Sequence, residues 1–152
     1  MSYTTIENGL SALINGLSNY NNSGTSQNLS QGDYRILGRG LSRAVILQPG
    51  SIREREVAQS PRRMRTVWDI YVELYIPFTG EMSTISTALR TDRQELLDHL
   101  DKYPTLNGIT GVIHAMIVRG DEPRVWVGES GNWWRQVLNM SVEERVTVTI
   151  AE

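Results

Sequence analysis

The chain reads as an α+β protein of two layers, a mainly antiparallel sheet with an N-terminal helix and a central helix packed on one face. Three observations lead there. Residues 64–78 alternate, with Trp68, Ile70, Val72, Leu74 and Ile76 on one parity and Asp69, Tyr71, Glu73 and Tyr75 on the other, which is the period of a strand. Two segments, 4–20 and 82–102, instead repeat apolar residues at helical spacing. The other apolar runs are short and joined by turns rich in Gly and Pro, which favours antiparallel neighbours.

At 152 residues one domain is expected, 1–152, with a polar loop at 18–41 and a charged hairpin arm at 52–65. The helix at 4–20 rests on Ile6, Leu10, Leu13, Ile14 and Leu17. Thr4-x-x-Glu7 matches a capping box, while Gly9 and Gly16 weaken the helix. Residues 18–41 turn to Asn, Ser, Gly and Gln, a loop that is either disordered or ordered by a partner. Ala44–Leu47 is a short strand ended by Pro49-Gly50. Residues 52–58, with alternating charges and no apolar face, form an exposed ribbon that folds back on the long strand, with Pro61 as the break.

Thr79-Gly80 then turns the chain into the helix 82–102, with Ile85, Ala88, Leu89, Leu96, Leu97 and Leu100 as its stripe and Thr91-Asp92 as a place where it could divide. Leu106–Gly111 is a turn. Val112–Val118 is apolar enough for a buried strand, Gly120–Pro123 a hairpin turn, and Arg124–Val127 the return strand. After the loop Gly128–Asn132, residues 133–139 and 144–150 read as two last strands.

Composition narrows the function. There is no cysteine, so neither a disulfide framework nor thiolate chemistry is available. The start of the chain lacks the pattern of a signal peptide, and no apolar run is long enough for a bilayer, so a soluble protein made in a cytoplasm is expected. The net charge of −2 divides unevenly. Residues 1–65 hold eight arginines and four acids, a net of +4; residues 66–152 hold six arginines, one lysine and thirteen acids, a net of −6. Lys102 is the only lysine. Arginine favours planar, bidentate interface contacts, so opposed charged surfaces are expected.

No catalytic constellation emerges, and neither a metal site nor a cofactor is expected. Asp98 and His99 point about 100° apart on a helix. His114 fits a satisfied core histidine. Asp69 and Glu73 share a strand face but lie about 13 Å apart, wide for an acid–base pair. Leu37-Gly38-Arg39-Gly40 lacks the third glycine of a phosphate loop. Arg53, Arg55, Arg62, Arg63 and Arg65 make the densest basic segment, but Glu54 and Glu56 interrupt it and no nucleic-acid-binding fold follows. A small enzyme and a nucleic-acid-binding module remain as alternatives. Trp68 and Trp126 fit core positions. Trp133-Trp134 is different, because adjacent strand residues point to opposite faces, so one faces away from the core unless both faces are covered. The expected subunit and partner contacts are therefore Arg53, Glu54, Arg55, Glu56, Arg62, Arg63, Arg65, Tyr71, Tyr75, Trp133 and Trp134.

The succession of elements resembles the tail-terminator (tail-completion, head–tail joining) proteins of long-tailed bacteriophages. The likeness lies in the amphipathic N-terminal helix, the Trp-x-Ile-x-Val-x-Leu strand 67–78, the helix 82–102, the strand 112–118, and a Trp ahead of Val146-Thr147-Val148. It covers most of the chain from about residue 44 onward. The loop at 18–41 is longer than in that pattern, which leaves a related neck or head-completion protein open. The resemblance implies a structural virion protein without enzymatic activity, assembled in the host cytoplasm. It implies a homo-oligomeric ring, by expectation hexameric, that ends tube polymerisation. Its partners are then the tail tube protein and the head connector or neck proteins, with non-specific contact to DNA in the lumen and none to membrane.

Overall fold

The computed structural model describes residues 3–20, 26–30, 43–48, 50–59, 62–78, 82–128 and 131–148. The expectations for Leu37–Gly40, for the break at Pro61, for the turn Thr79-Gly80 and for much of the polar loop lie outside these residues. The architecture is the expected α+β arrangement, with two helices on one face of a sheet.

Helix α1 spans Tyr3–Ile14 and buries Ile6, Leu10, Leu13 and Ile14. It starts one residue ahead of Thr4, so Thr4 lies inside it and does not cap it. Glu7 is buried beside Tyr3. A 3-10 turn, Ser18–Tyr20, follows in place of further α-helix. Gly9 has a use, since a side chain there would meet Ile109. Helix α2 spans Met82–Asp101 without dividing at Thr91-Asp92. After it, Leu106, Asn107 and Gly108 take positive φ (53°, 64° and 82°). The bulky Leu106 accepts that conformation while its side chain is buried in the core.

Among the described residues the sheet has seven strands: β1 (Ser26–Ser30), β2 (Arg43–Leu47), β3 (Ser51–Gln59), β4 (Arg62–Pro77), β5 (Val112–Gly120), β6 (Arg124–Gly128) and β7 (Gly131–Thr147). β1 corrects the polar-loop expectation, because it pairs with β2 in parallel and is held by the chain itself. All other pairings are antiparallel. β4 and β7 form the centre, paired from Arg63↔Thr147 to Pro77↔Trp133. β2 and β3 follow one another along the outer side of β4, and the Gln48 amide still donates to Tyr71 O (2.9 Å) between them. β5 and β6 do the same along β7, with the Asp121 amide on Val137 O (2.9 Å).

Gly120–Pro123 is therefore no hairpin turn. It interrupts one edge strand, which pairs with β7 as far as Gly128↔Gly131. Residues 131–147 form one strand and not two, because the alternation Leu138, Met140, Val142 carries the core through Asn139 and Ser141. β5 is not buried. It lies at an edge, and only Val112 and Ala115 of it are fully covered.

The main core sits between sheet and helices. Ile70, Val72, Leu74, Leu138, Met140 and Val142 meet Ile6, Leu10, Leu13 and Ile14 of α1 and Leu96 and Leu100 of α2, with Trp68 packed at its margin. Each such aliphatic contributes roughly 1.5–3 kcal/mol on burial. Ile76 joins a smaller cluster with Ile85 and Leu89, so that whole parity of β4 faces the helices as expected.

Candidate interaction face

The opposite parity of β4 and its partners on β7 form the face without helices. Across the two strands it reads Arg65 and Arg145, Val67 and Glu143, Asp69 and Ser141, Tyr71 and Asn139, Glu73 and Val137, Tyr75 and Arg135. At one end Arg65 gathers three carboxylates. Its Nε donates to Glu143 Oε1 (2.5 Å) and its Nη1 to Glu54 Oε2 (3.0 Å), with Glu56 at 3.6 Å. Glu143 also lies 3.5 Å from Arg145. The hydrogen bonds to Glu143 and then Glu54 keep the Arg65 guanidinium more basic than usual. In the middle, Arg53 forks onto Asp69, its Nε 3.0 and 3.2 Å from the two oxygens and its Nη2 on Oδ1. That hydrogen bonding holds the Asp69 carboxyl below its ordinary range and raises Arg53.

Further along, Glu73 is buried. It accepts from Gln48 Nε2 (3.0 Å) and the Tyr75 hydroxyl (3.2 Å), with Arg135 at 3.9 Å. Here the face closes. Tyr75, Ala44, Ile46 and Trp133 form a second buried cluster, with Trp126 edge-on to Tyr75 at 5.6 Å. Tyr75 and Trp133 are thus fully enclosed within this chain, and this corrects their placing as contact residues. Both faces are covered at that end of the sheet, which is how Trp133 and Trp134 are both accommodated. Trp134 lies half-buried on the helix side, stacked on Phe78 at 5.4 Å.

The remaining expected contact residues stay accessible. Glu54, Arg55, Glu56 and Arg63 are exposed, as is Tyr71 at 37%. Glu56, Arg63, Arg65 and Arg145 surround a cavity of about 290 Å³ with Val57. Arg62 is half-buried, and its Nε is covered with no hydrogen-bond partner among the described residues. The uneven charge of the two halves is partly neutralised inside the chain, since Arg65–Glu143 and Arg43–Asp92 each join one half to the other.

The residues considered for catalysis do not converge. Asp69 and Glu73 hold separate partners. His99 bonds Leu13 O (2.8 Å) and meets Tyr103 edge-on. His114 is exposed and not in the core, because β5 is an edge strand, and its Nε2 lies 3.2 Å from Met116 Sδ. Among the described residues no three His, Asp or Glu side chains group in a way that could hold a metal ion. A cavity of about 420 Å³ between α2 and the sheet is lined by Ser83, Ser86, Leu89, Pro123 and Trp134, none of them titratable in the neutral range.

One polar centre escapes a sequence reading. Asp92, 2% exposed, accepts from the Tyr20 hydroxyl (2.8 Å), Arg43 Nε (2.6 Å) and Asn19 Nδ2 (3.1 Å). It ties the polar segment to α2. Burial first, then the nearby Asp92 carboxylate, push the Tyr20 hydroxyl well above its ordinary pKa. The available signal is position, since Asp92 falls three after Leu89 and four before Leu96, on the stripe itself.

No family model matches the chain, and a search of curated proteins gave no match. No helix among the described residues is long and apolar enough to cross a membrane.

Proposed function

We propose that this chain is a ring-forming structural subunit of a phage virion, a tail terminator or a closely related neck protein. The observation that supports the reading is the open face of the sheet. Helices cover one side, while the other keeps an ion-paired strip from Arg65 to Asp69 with Tyr71 accessible beside it. Among the described residues the cavity beside Arg65 is lined by Glu56, Val57, Arg63, Arg65 and Arg145, with no Ser, Thr, His or Tyr to serve as nucleophile or base, so the strip suits contact with other protein surfaces more than it suits chemistry on a small molecule.

In this reading copies associate side by side into a ring, by expectation of six, on the head-proximal end of the tail tube. The ring ends tube polymerisation and offers its other surface to the connector. Arg55 and Arg63, both exposed and with no carboxylate among the ion pairs of the described residues, face partners or lumenal DNA. Mass measurement of the purified protein, with electron microscopy after mixing it with tail tubes, tests the proposal. A defined oligomer, or a monomer that becomes a ring on the tube end, is expected. A monomer that never associates with tubes overturns the reading.

A further inference from the structure

Two edges of the sheet stand out. Among the described residues, β3 on one side and β5 on the other are nine-residue strands whose outer edges no strand pairs. β2, by contrast, is covered by β1. An unpaired edge offers a row of backbone donors and acceptors to another chain. On β5 the Ala115 amide already donates to Pro104 O (2.8 Å), so the open stretch of that edge is Met116–Gly120. Both edges also expose aliphatics: Ile52 (50%) and Val57 (40%) on β3, Ile113 (47%) and Val118 (49%) on β5.

We infer that β3 of one copy pairs antiparallel with β5 of the next, giving one continuous sheet across the subunit boundary. The inference rests on the ring reading and names its contact. Direction is the first argument. β3 runs opposite to β4, β4 to β7 and β7 to β5, so β3 and β5 run in opposite directions. Rotation about an axis along the strands preserves direction. The neighbour's β5 therefore meets β3 as an antiparallel strand, with the helices of every copy on the same side.

Charge is the second argument. On the face without helices, β3 presents Glu54 and Glu56 at its edge, which share the single Arg65 guanidinium with Glu143 and so keep an excess of negative charge, while Arg53 is matched by Asp69. β5 presents Arg119 on that face, 72% exposed and only loosely matched by Asp121 at 3.8 Å. Opposite charges facing across strands are favourable and like charges are not. Two-fold pairing of β3 with itself is disfavoured for the same reason. Such pairing sets residues of one face against each other, so glutamate meets glutamate wherever the charged runs overlap.

The natural chain has no cysteine, so introduced pairs report cleanly. Ile52→Cys is combined in turn with Ile113→Cys, Met116→Cys and Val118→Cys, and each is oxidised in solution and on tail tubes. At least one double variant is expected to give a ladder of covalent multimers, while the single variants stay uncrosslinked. Independently, Met116→Lys with Val118→Lys places charge on the β5 edge without touching the core. It is expected to keep the melting temperature and reduce the assembled fraction at least tenfold. Oligomers that form without any β3–β5 crosslink, crosslinking by a single variant, or assembly unchanged by the lysines each overturn this contact and leave the ring reading standing. A chain that stays monomeric with tubes overturns both.

Discussion

Asp92→Ala is the sharpest test of how this fold is held. The substitution removes one acceptor from three donors at once: the Tyr20 hydroxyl, Arg43 Nε and Asn19 Nδ2. Breaking a fully buried ion pair from one side costs about 3–5 kcal/mol. Arg43 keeps 22% of its side chain exposed, so water recovers part of that cost. Tyr20 is 1% exposed, and its hydroxyl loses the Asp92 acceptor. The expected loss is about 3 kcal/mol, or roughly 6–12 °C in Tm for a chain of this size. Urea unfolding followed by tryptophan fluorescence measures it, with the midpoint lowered and the slope unchanged. Asp92→Asn keeps an acceptor for Tyr20 and loses less. Tyr20→Phe costs about 1 kcal/mol, and its combination with Asp92→Ala costs less than the sum. Amide exchange in Ser26–Ser30 should rise in Asp92→Ala, because the segment leading into β1 loses its tie to α2. A variant within about 0.5 kcal/mol of the natural chain, the ordinary surface response, refutes the account.

Three further outcomes follow from the same geometry. The Tyr3 hydroxyl is pushed up to about 12, first by burial and then by Glu7, so tyrosinate absorbance should show it ionising well after an ordinary tyrosine. The fold favours its neutral form, so its contribution to stability is intact below the ordinary tyrosine pKa near 10 and is lost as pH rises from there toward about 12. Asp69 has the opposite sign. Its carboxyl is held low by Arg53, so the stability it adds is present above the ordinary carboxylate range and disappears as pH falls through its folded value. Asp69→Asn should therefore flatten the acid limb of a stability–pH profile. The pair is partly solvated, and the effect is about 0.2–1 kcal/mol. Trp133→Ala should destabilise the subunit by about 3–5 kcal/mol, as for a core tryptophan, whereas Tyr71→Ala should leave the melting curve nearly unchanged and act, if at all, on association.

The parity of β4 carries most of what a sequence reading can deliver here. Trp68 to Ile76 alternate cleanly because one side of the strand meets the helices over its whole length. The same rule misleads for Tyr75 and Trp133. Their parity is the open one, yet a second cluster closes over that end, and such local cover is set by tertiary contacts that no period reports. β5 fails in the reverse sense. Val112–Val118 is apolar by composition, but pairing with β7 alone leaves it at an edge, with bulges at Ile113 and Val118 that re-aim its side chains. β7 was legible except at its centre, where Met140–Glu143 read as a break although Met140 and Val142 face the core and Ser141 and Glu143 occupy the outward parity of an unbroken strand. The ion pairs were legible only as residue types, because Arg65 and Glu143 meet through a register spanning the whole sheet.

The two halves of the sheet are built alike, and what separates them bears on association. Each is a hairpin with an interrupted outer strand and a continuous inner one, and the two inner strands lie antiparallel about Ile70 and Met140. A sheet of that kind left to itself would have equivalent edges, and equivalent edges invite two-fold pairing. The polar segment breaks the equivalence. β1 covers β2, and Asn19, Tyr20 and Arg43 fasten its surroundings to Asp92, while the corresponding strand of the second hairpin, β5, is paired by no further strand among the described residues and is capped only at Ala115, whose amide donates to Pro104 O. The charges widen the difference, since Glu54 and Glu56 flank one open edge and Arg119 the other. A subunit with two unlike edges cannot satisfy both in a two-fold dimer, but it can satisfy both in a closed ring. If the chain assembles as proposed, Asp92→Ala should consequently disturb assembly as well as stability. At a temperature where the variant is still folded, a loss of ring formation with β3 and β5 untouched would tie the buried aspartate to the symmetry of the assembly, and full ring formation would show that the edges alone decide it.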